Sequence, residues 1–225
     1  MPLSGEEIFI KLESMASTNL YDHISFKNSV LDETFVILVD ENDNAIGIME
    51  KIQAHHQALL HRAVSVFIFN SKGDWVLQRR ALSKYHSGGL WSNACCSHPN
   101  PGESSIDAAQ RRLMEEMGID CQINEIFSFT YKAVLENDLT EYELDHIFVG
   151  ISDATPEINP AEVAEWKAFS FDDLQSDVIR NPDYYTVWFK KLYERVGDYM
   201  SDHQVNPLLI SKVEDICTNE TRKEL

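Results

Sequence analysis

The sequence predicts an α+β fold in which a mixed β-sheet carries one central helix and a group of C-terminal helices. Short β-prone segments, separated by turn residues, make up much of the chain between Thr34 and Phe169. One charged helix, Glu103–Met117, interrupts these segments, and helical periodicity dominates after Phe169. This order of elements is typical of a layered domain whose strands do not alternate strictly with helices.

The composition fits a single domain with an acidic surface. The chain has 225 residues, of which 44% are hydrophobic, enough to bury a core. Its net charge of -18 disfavours nonspecific binding to nucleic acid or anionic membranes, so we expect neither partner. The chain shows no secretory signal pattern and no apolar run near the ~20 residues of a membrane span. Its four cysteines, two of them adjacent, fit a reduced, cytoplasmic setting.

We predict three regions along the chain. Residues 1–30 form an N-terminal extension that is helical or flexible, 31–200 form the domain, and 201–225 form a helical extension packed on it. The domain opens with a strand at Thr34–Val39, a polar turn, and a second strand at Ala45–Met49.

A hairpin and the central helix follow. Arg62–Asn70 and Trp75–Arg80 are β-prone and flank a turn of four residues. The helix ends at Gly118, because glycine adopts the left-handed conformation that closes helices. The remaining predicted elements are strands near Glu125–Ala133, Tyr142–Ile151 and Val163–Phe169, and helices at Phe171–Ile179, Asp183–Tyr199 and Pro207–Asp215.

Histidines and paired carboxylates are candidate metal ligands. His55, His61 and His98 lie on separate segments, near the ends of predicted strands. Glu141 and Glu143 are two residues apart, so a strand places both carboxylates on one face. Three imidazoles and two carboxylates suit an ion such as Zn, Mn or Fe. The commoner explanation of such a pattern is a few exposed histidines and a solvated acidic strand.

Cys96 and Glu143 are candidates for proton transfer, because a thiol and a carboxylate can act as paired donor and acceptor. The alternative for Cys96 is an inert buried thiol, the usual fate of a free cysteine. Its neighbour Cys95 points the other way in an extended chain, and we assign it to the core.

A group of cations indicates an anionic ligand. Arg80 and Lys84 lie at a strand end and the following loop, and Arg112 lies on the central helix. Arginine and lysine match phosphate oxygens well. The alternative is ordinary ion pairing along the helix, for example of Arg112 with Glu116 at i, i+4.

Four motifs, WSNACCSHPNPGES, HRAVSVFIFN, RRALSK and EYE, resemble the type I isopentenyl-diphosphate isomerases of the Nudix superfamily. The resemblance covers roughly residues 34–195 and implies an α/β/α-like Nudix fold. It also implies conversion of isopentenyl diphosphate to dimethylallyl diphosphate, in isoprenoid biosynthesis, through a carbocation-like state. Family members of this length are often monomers, and we expect one here.

The resemblance also implies roles for individual residues. Cys96 and Glu143 match the catalytic pair, with Tyr131 and Trp188 beside them. The implied ligands of a tightly bound Zn or Mn are His55, His61, His98, Glu141 and Glu143. Glu116 matches a carboxylate that holds Mg on the diphosphate, and the matching diphosphate-binding cations are Lys51, Arg80, Lys84 and Arg112.

Three departures from the family pattern are visible. Ser87-Gly88-Gly89 stands where Pro-Gly is usual, from which we expect only a local change of the backbone. The connection from His55 to His61 is short, which makes His56 an alternative ligand, but the spacing of His55 from Lys51 matches the family's and favours His55. Arg112 replaces a glutamate that the hydrolases of the superfamily need for Mg. A Nudix pyrophosphohydrolase and an inactive metal-binding scaffold therefore remain the alternative functions, with the hydrolase disfavoured.

Overall fold

Residues 34–202 of the computed structural model form a nine-stranded mixed sheet with helices on both faces. The predicted extension at 1–30, and the C-terminal extension after Asp202 with its helix Pro207–Asp215, lie outside these described residues. The strands are β1 (Phe35–Val39), β2 (Ala45–Glu50), β3 (His61–Phe69), β4 (Trp75–Arg80), β5 (Trp91–Ser92), β6 (Cys95–Ser97), β7 (Ile123–Val134), β8 (Thr140–Ile151) and β9 (Val163–Phe169). The α-helices are α1 (Lys51–His56), α2 (Ser105–Met117), α3 (Phe171–Arg180) and α4 (Val187–Asp202).

Strand β3 is the centre of the sheet. β8 runs parallel to it along its whole length, from the pair His61 and Glu143 to the pair Phe69 and Ile151. Three segments share the other edge: β1 pairs at the start, β6 in the middle and β4 at the end. The division of this edge places β6, which carries the Cys95-Cys96 pair, beside the middle of β3.

The sheet separates two hydrophobic clusters. Phe67 of β3 and Ile147 of β8 face α3 and α4. Val66 and the other β3 side chains on the opposite face of the sheet pack against α2. On the face toward α4, the first halves of both strands instead carry polar side chains, including His61 and Glu143. The apolar core therefore ends in a buried polar region on the same face of the sheet.

Helix α2 ends at Met117 as predicted but begins at Ser105, two residues later than predicted. Ser104 caps its N-terminus by accepting a hydrogen bond from the backbone N–H of Asp107 at 3.2 Å. Gly118 closes it with φ = 63°, as predicted. A side chain at Gly118 would also place its Cβ 2.8 Å from Glu157, so both conformation and space require glycine here.

The predicted helix Asp183–Tyr199 is wrong at its beginning. A short 3-10 turn, Pro182–Tyr184, comes first, and α4 starts only at Val187. Tyr185 is extended between them, because it bridges to Trp91, whose carbonyl accepts a hydrogen bond from Thr186 N at 2.9 Å. This contact across the fold outweighs the local helical preference.

Two further elements near the site were not predicted as such. The segment Cys95–Ser97 is strand β6, because it pairs with β3. Lys51–His56 is helical, and its cap is the Glu50 carboxylate, which accepts from the backbone N–H groups of Ile52 and Gln53. None of the helices in the described part of the chain is long and apolar enough to cross a membrane.

Candidate active site

A pocket opens where the apolar core gives way to polar side chains. It encloses about 540 Å³, counting the part open to solvent, which is within the size range of small-molecule sites. The predicted proton-transfer residues and the predicted diphosphate cations all line it: Lys51, Arg80, Lys84, Cys96, Arg112, Tyr131, Glu143 and Trp188.

His55 and His61 are oriented as metal ligands would be. Both are fully buried, and their Nδ1 atoms are fixed by main-chain oxygens, those of Lys51 at 2.7 Å and Leu59 at 2.8 Å. Their Nε2 atoms have no hydrogen-bond partner among residues 34–202. A ring held through Nδ1, with a buried and unsatisfied Nε2, fits a bound divalent metal.

The imidazoles converge on Glu143. The ligand atoms of His55, His61, His98 and Glu143 all lie within 4.8 Å of one another. The Oε1 atom of Glu143 is 3.0 Å from His98 Nε2 and 3.6 Å from His61 Nε2. These groups can hold a metal ion. The alternative ligand His56 is exposed, with its Nδ1 3.3 Å from the carbonyl of Asp138, so the geometry favours His55.

Glu141 belongs to an overlapping group that includes a residue the sequence interpretation missed. Its Oε2 is 3.7 Å from His55 Nε2, and its Oε1 is 3.5 Å from Nε2 of His86. His86 is 5% exposed, and burial lowers its pKa to about 3. One available signal was that His86 lies two residues after Lys84, in a loop already assigned to the pocket.

The two carboxylates of β8 have opposite protonation tendencies. Burial, together with the charge of Glu143, raises the pKa of Glu141 well above its usual value. Burial also opposes ionisation of Glu143, but the imidazoles of His61, at 3.6 Å, and His98, at 3.0 Å, outweigh it and keep the pKa of Glu143 well below its usual value. Tyr131 donates a hydrogen bond to Glu143 Oε2 at 2.6 Å. Glu143 is therefore the ionised carboxylate of the pair.

Cys96 sits on the same face as a neutral thiol. Its Sγ donates to Asn93 Oδ1 at 2.9 Å and accepts from the indole N–H of Trp188 at 2.9 Å. Burial, followed by the charge of Asp145, raises the pKa of this thiol to about 12. Cys95 is fully buried in the cluster beneath α2, which agrees with the core role predicted for it.

Asn93 and Asp145 were not predicted as site residues. Asp145 is the third carboxylate of the alternating series in β8, and its Oδ2 accepts from Ser65 Oγ at 2.8 Å. The same alternation that relates Glu141 to Glu143 would have placed Asp145 on this face. Asn93 follows the short strand β5, and nothing in the sequence distinguishes it from a turn residue.

The cations at the other end of the pocket already contact carboxylates. Arg112 Nη2 is 2.7 Å from Glu116 Oε1, which is the i, i+4 ion pair considered above as the alternative to diphosphate binding. Glu116 also accepts from Gln78 Nε2 at 2.7 Å, and Lys84 is paired with Glu162. The guanidinium of Arg80 lies 5.2 Å from the ring centre of Trp188, which joins the two ends of the pocket.

Curated relatives match most of this chain. It is 49% identical over 166 residues to the isopentenyl-diphosphate Delta-isomerase of Pectobacterium atrosepticum, covering 74% of this chain and 93% of that one. It is 50% identical over 164 residues to isopentenyl-diphosphate Delta-isomerase 2 of Aromatoleum aromaticum, covering 73% and 87%. The chain belongs to the isopentenyl-diphosphate Delta-isomerase family.

The Nudix part of the prediction is confirmed as well. The NUDIX domain model matches residues 59–193 of this isomerase family member. A crystal structure of a Deinococcus radiodurans protein superposes with a TM-score of 0.55 at 20% identity, covering 65% of this chain and 90% of that one. The MutT protein of Methanosarcina mazei Go1 superposes with a TM-score of 0.52 at 20% identity, covering 64% and 95%. At this identity the two structures support the fold alone.

The departures seen in the sequence have local consequences in this isomerase family member. In the Ser87-Gly88-Gly89 segment, Ser87 has φ = 51° and Gly89 has φ = 80°. A Cβ on Gly88 would lie 2.9 Å from the carbonyl oxygen of Leu82, so the loop folds closely on itself. Its tight path places His86 against Glu141.

Proposed function

We propose that this protein interconverts isopentenyl diphosphate and dimethylallyl diphosphate, with Cys96 and Glu143 as the proton-transfer pair. The observation that carries the assignment of residues is the placement of a neutral thiol and an ionised carboxylate in one buried pocket. Four cations line the same pocket. An alkene that carries a diphosphate needs both kinds of group at once.

The reaction moves one double bond and conserves all atoms. A proton is added to the terminal methylene carbon, which leaves positive charge on the adjacent tertiary carbon. A proton is then lost from the methylene group on the other side of that carbon, and its C–H electron pair forms the new double bond. Cys96 and Glu143 are the donor and acceptor in this scheme, and either can act first according to the direction of the reaction.

Trp188 and Tyr131 support the pair. The indole ring of Trp188 is buried, and its N–H fixes the sulfur of Cys96. An aromatic face stabilises a nearby desolvated cation by about 2 kcal/mol. Tyr131 holds the second oxygen of Glu143 through its 2.6 Å hydrogen bond. We call these four residues, Cys96, Tyr131, Glu143 and Trp188, the proton-transfer end of the pocket.

A tightly bound Zn or Mn ion is part of the proposal, held by His55, His61, His98, Glu141 and Glu143. Its positive charge would hold the carboxylate of Glu143 in position and keep it ionised. The unsatisfied Nε2 atoms of His55 and His61 support this assignment. We further propose that Mg accompanies the diphosphate at Glu116, whose carboxylate is buried beside Arg112.

Lys51, Arg80, Lys84 and Arg112 would bind the diphosphate, and we call them the diphosphate end of the pocket. Their charge is local, because the chain as a whole carries -18. Binding at this end orients the alkene without taking part in its chemistry. We also propose that the protein is cytoplasmic and monomeric.

Incubation of the metal-replete protein with isopentenyl diphosphate and Mg tests the activity. We expect an acid-labile allylic diphosphate and no released phosphate. Isopentenyl diphosphate recovered unchanged from a metal-replete, folded sample would contradict the proposal. Phosphate released from a nucleoside diphosphate derivative would instead indicate the hydrolase alternative, which Arg112 disfavours because it stands where hydrolases carry a carboxylate.

A further inference from the structure

We propose that His86 is a further ligand of the metal ion and closes its coordination sphere. This inference rests on the metal site proposed above and adds a side chain from the Tyr85–Gly89 loop to it. The loop lies outside the four motifs that carry the family resemblance, and His86 was not among the ligands that the resemblance implies.

The distances around Glu141 fit a shared ion. Two donor atoms that each lie about 2.1 Å from one ion are no more than about 4.2 Å apart. His86 Nε2 is 3.5 Å from Glu141 Oε1, and His55 Nε2 is 3.7 Å from Glu141 Oε2. The corresponding distances of His61 and His98 to Glu143 Oε1, 3.6 Å and 3.0 Å, fall within the same limit.

The two groups share His55, and their ligand atoms must draw together to bind one ion, because they do not all lie within 4.8 Å of one another. The ligand atoms fall into two sets, His55 with His61, His98 and Glu143, and His55 with His86 and Glu141. His55 has a single nitrogen to offer, because its Nδ1 is held by the main-chain oxygen of Lys51 at 2.7 Å. A second ion would therefore retain only His86 and Glu141, too few ligands for a stable site.

The packing around His86 supports a fixed role. The ring is buried between Tyr85, at 4.4 Å between ring centres, and Trp188, at 5.8 Å. Its carbonyl oxygen accepts a hydrogen bond from Arg80 at 3.2 Å, which fixes the backbone of the loop. Ser87 Oγ lies 3.3 Å from its Nδ1, leaving Nε2 on the side of Glu141.

A closed coordination sphere has a chemical consequence for this reaction. Catalytic zinc sites that activate water keep one position open, whereas closed sites do not. Six side-chain ligands would leave no position for water beside a reacting carbon that carries positive charge. An ion held in this way would act through its charge on Glu143 and would not supply a nucleophile.

Direct counting of the coordinated imidazoles tests the proposal. The wild-type protein would be loaded with cadmium and labelled isotopically at histidine, and the Nε2 atoms coupled to the ion would be counted by nuclear magnetic resonance. We expect four coupled histidines, His55, His61, His86 and His98. Three coupled histidines without His86 would overturn the inference while leaving the metal site intact. No coupled histidine in a folded sample would contradict the metal site itself.

Competition with a chelator supplies a second measurement that does not depend on turnover. We expect His86→Gln to bind zinc about ten- to a hundred-fold more weakly. Mutation of residues that only support a metal ligand already weakens metal binding by such a factor. His56→Gln is the matched control, because His56 is an exposed histidine on α1. Melting of the metal-free proteins identifies a folding defect, and equal zinc affinity of a folded His86→Gln and wild type would overturn the inference.

Discussion

The two ends of the pocket hold their charges in opposite ways. At the proton-transfer end the polar groups are buried and satisfy one another, as in the contacts of Glu143 with Tyr131 and His98. At the diphosphate end, Lys84 and Arg112 both contact the half-buried carboxylate of Glu162. The first end is therefore preorganised, whereas the second must exchange a carboxylate for the diphosphate when substrate binds. Substitutions should accordingly change turnover at one end and affinity at the other.

The largest effect is expected for Cys96→Ala. Loss of the proton donor should lower kcat about 10³-fold, within the range of general acid catalysis, and leave the affinity for the diphosphate unchanged. Steady-state kinetics and a binding measurement check this. Cys121→Ala is the control, because Cys121 packs in the cluster beneath α2. If Cys96→Ala kept more than about a tenth of the wild-type kcat, the assignment of this thiol would be wrong.

A smaller effect at the same end is expected for Tyr131→Phe. The change removes the 2.6 Å hydrogen bond to the ionised Glu143, and such bonds contribute about 1.5–3 kcal/mol. We expect kcat to fall about 10- to 100-fold with little change in KM. Tyr142→Phe serves as the control, since Tyr142 stacks under Lys132 and does not line the pocket. Equal losses in both variants would indicate a general effect on β7 and β8.

Lys84→Ala should mainly change affinity. Removing one cation of the diphosphate end should raise KM about ten-fold and change kcat by less than about three-fold, because the lost interaction is made equally in the ground and transition states. Steady-state measurement of KM and kcat checks this. Lys72→Ala is the control, because Lys72 lies in the turn between β3 and β4. A fall in kcat at unchanged KM would contradict the separation of the two ends.

The smallest expected effect is a flat pH profile. Burial raises the pKa of Cys96 from 9.0 to about 12, so the thiol keeps its proton as pH rises from 7 to about 10. A thiol that titrated at 9.0 would lose the proton in this interval, and a reaction needing the neutral donor would slow. We expect kcat to show no fall with an apparent pKa near 9. Such a fall, seen in both the wild type and the control Cys121→Ala, would contradict a buried, neutral Cys96 thiol.

The sequence predicts the directions of these side chains well where strands and helices impose a period. Glu141 and Glu143 share a face because β8 alternates, and Arg112 meets Glu116 because they are one helical turn apart. Cys95 and Cys96 face opposite clusters because side chains alternate along β6 as well. Local periodicity thus determined most of the directions in which side chains point.

The features that the sequence did not predict depend on contacts between distant segments of the chain. His86 lies in a loop without periodicity, and its position follows from the left-handed turn at Ser87 and Gly89. The break before α4 depends on the bridge between Tyr185 and Trp91, which no local pattern encodes. The helical preference after Pro182 is real, but the extended Tyr185 delays it until Val187.

The central position of β3 has a consequence for how the protein folds. Its parallel partner β8 is complete only when Ile151 has been synthesised, and parallel pairing across so long a connection closes slowly. Until then β3 exposes one edge, although β1, β6 and β4 can already occupy the other. Joining of β8 brings Glu143 beside His61 in the same event. Assembly of the proposed ligands and burial of the open edge of β3 are therefore one step, and the proposed ion should stabilise the product of that step.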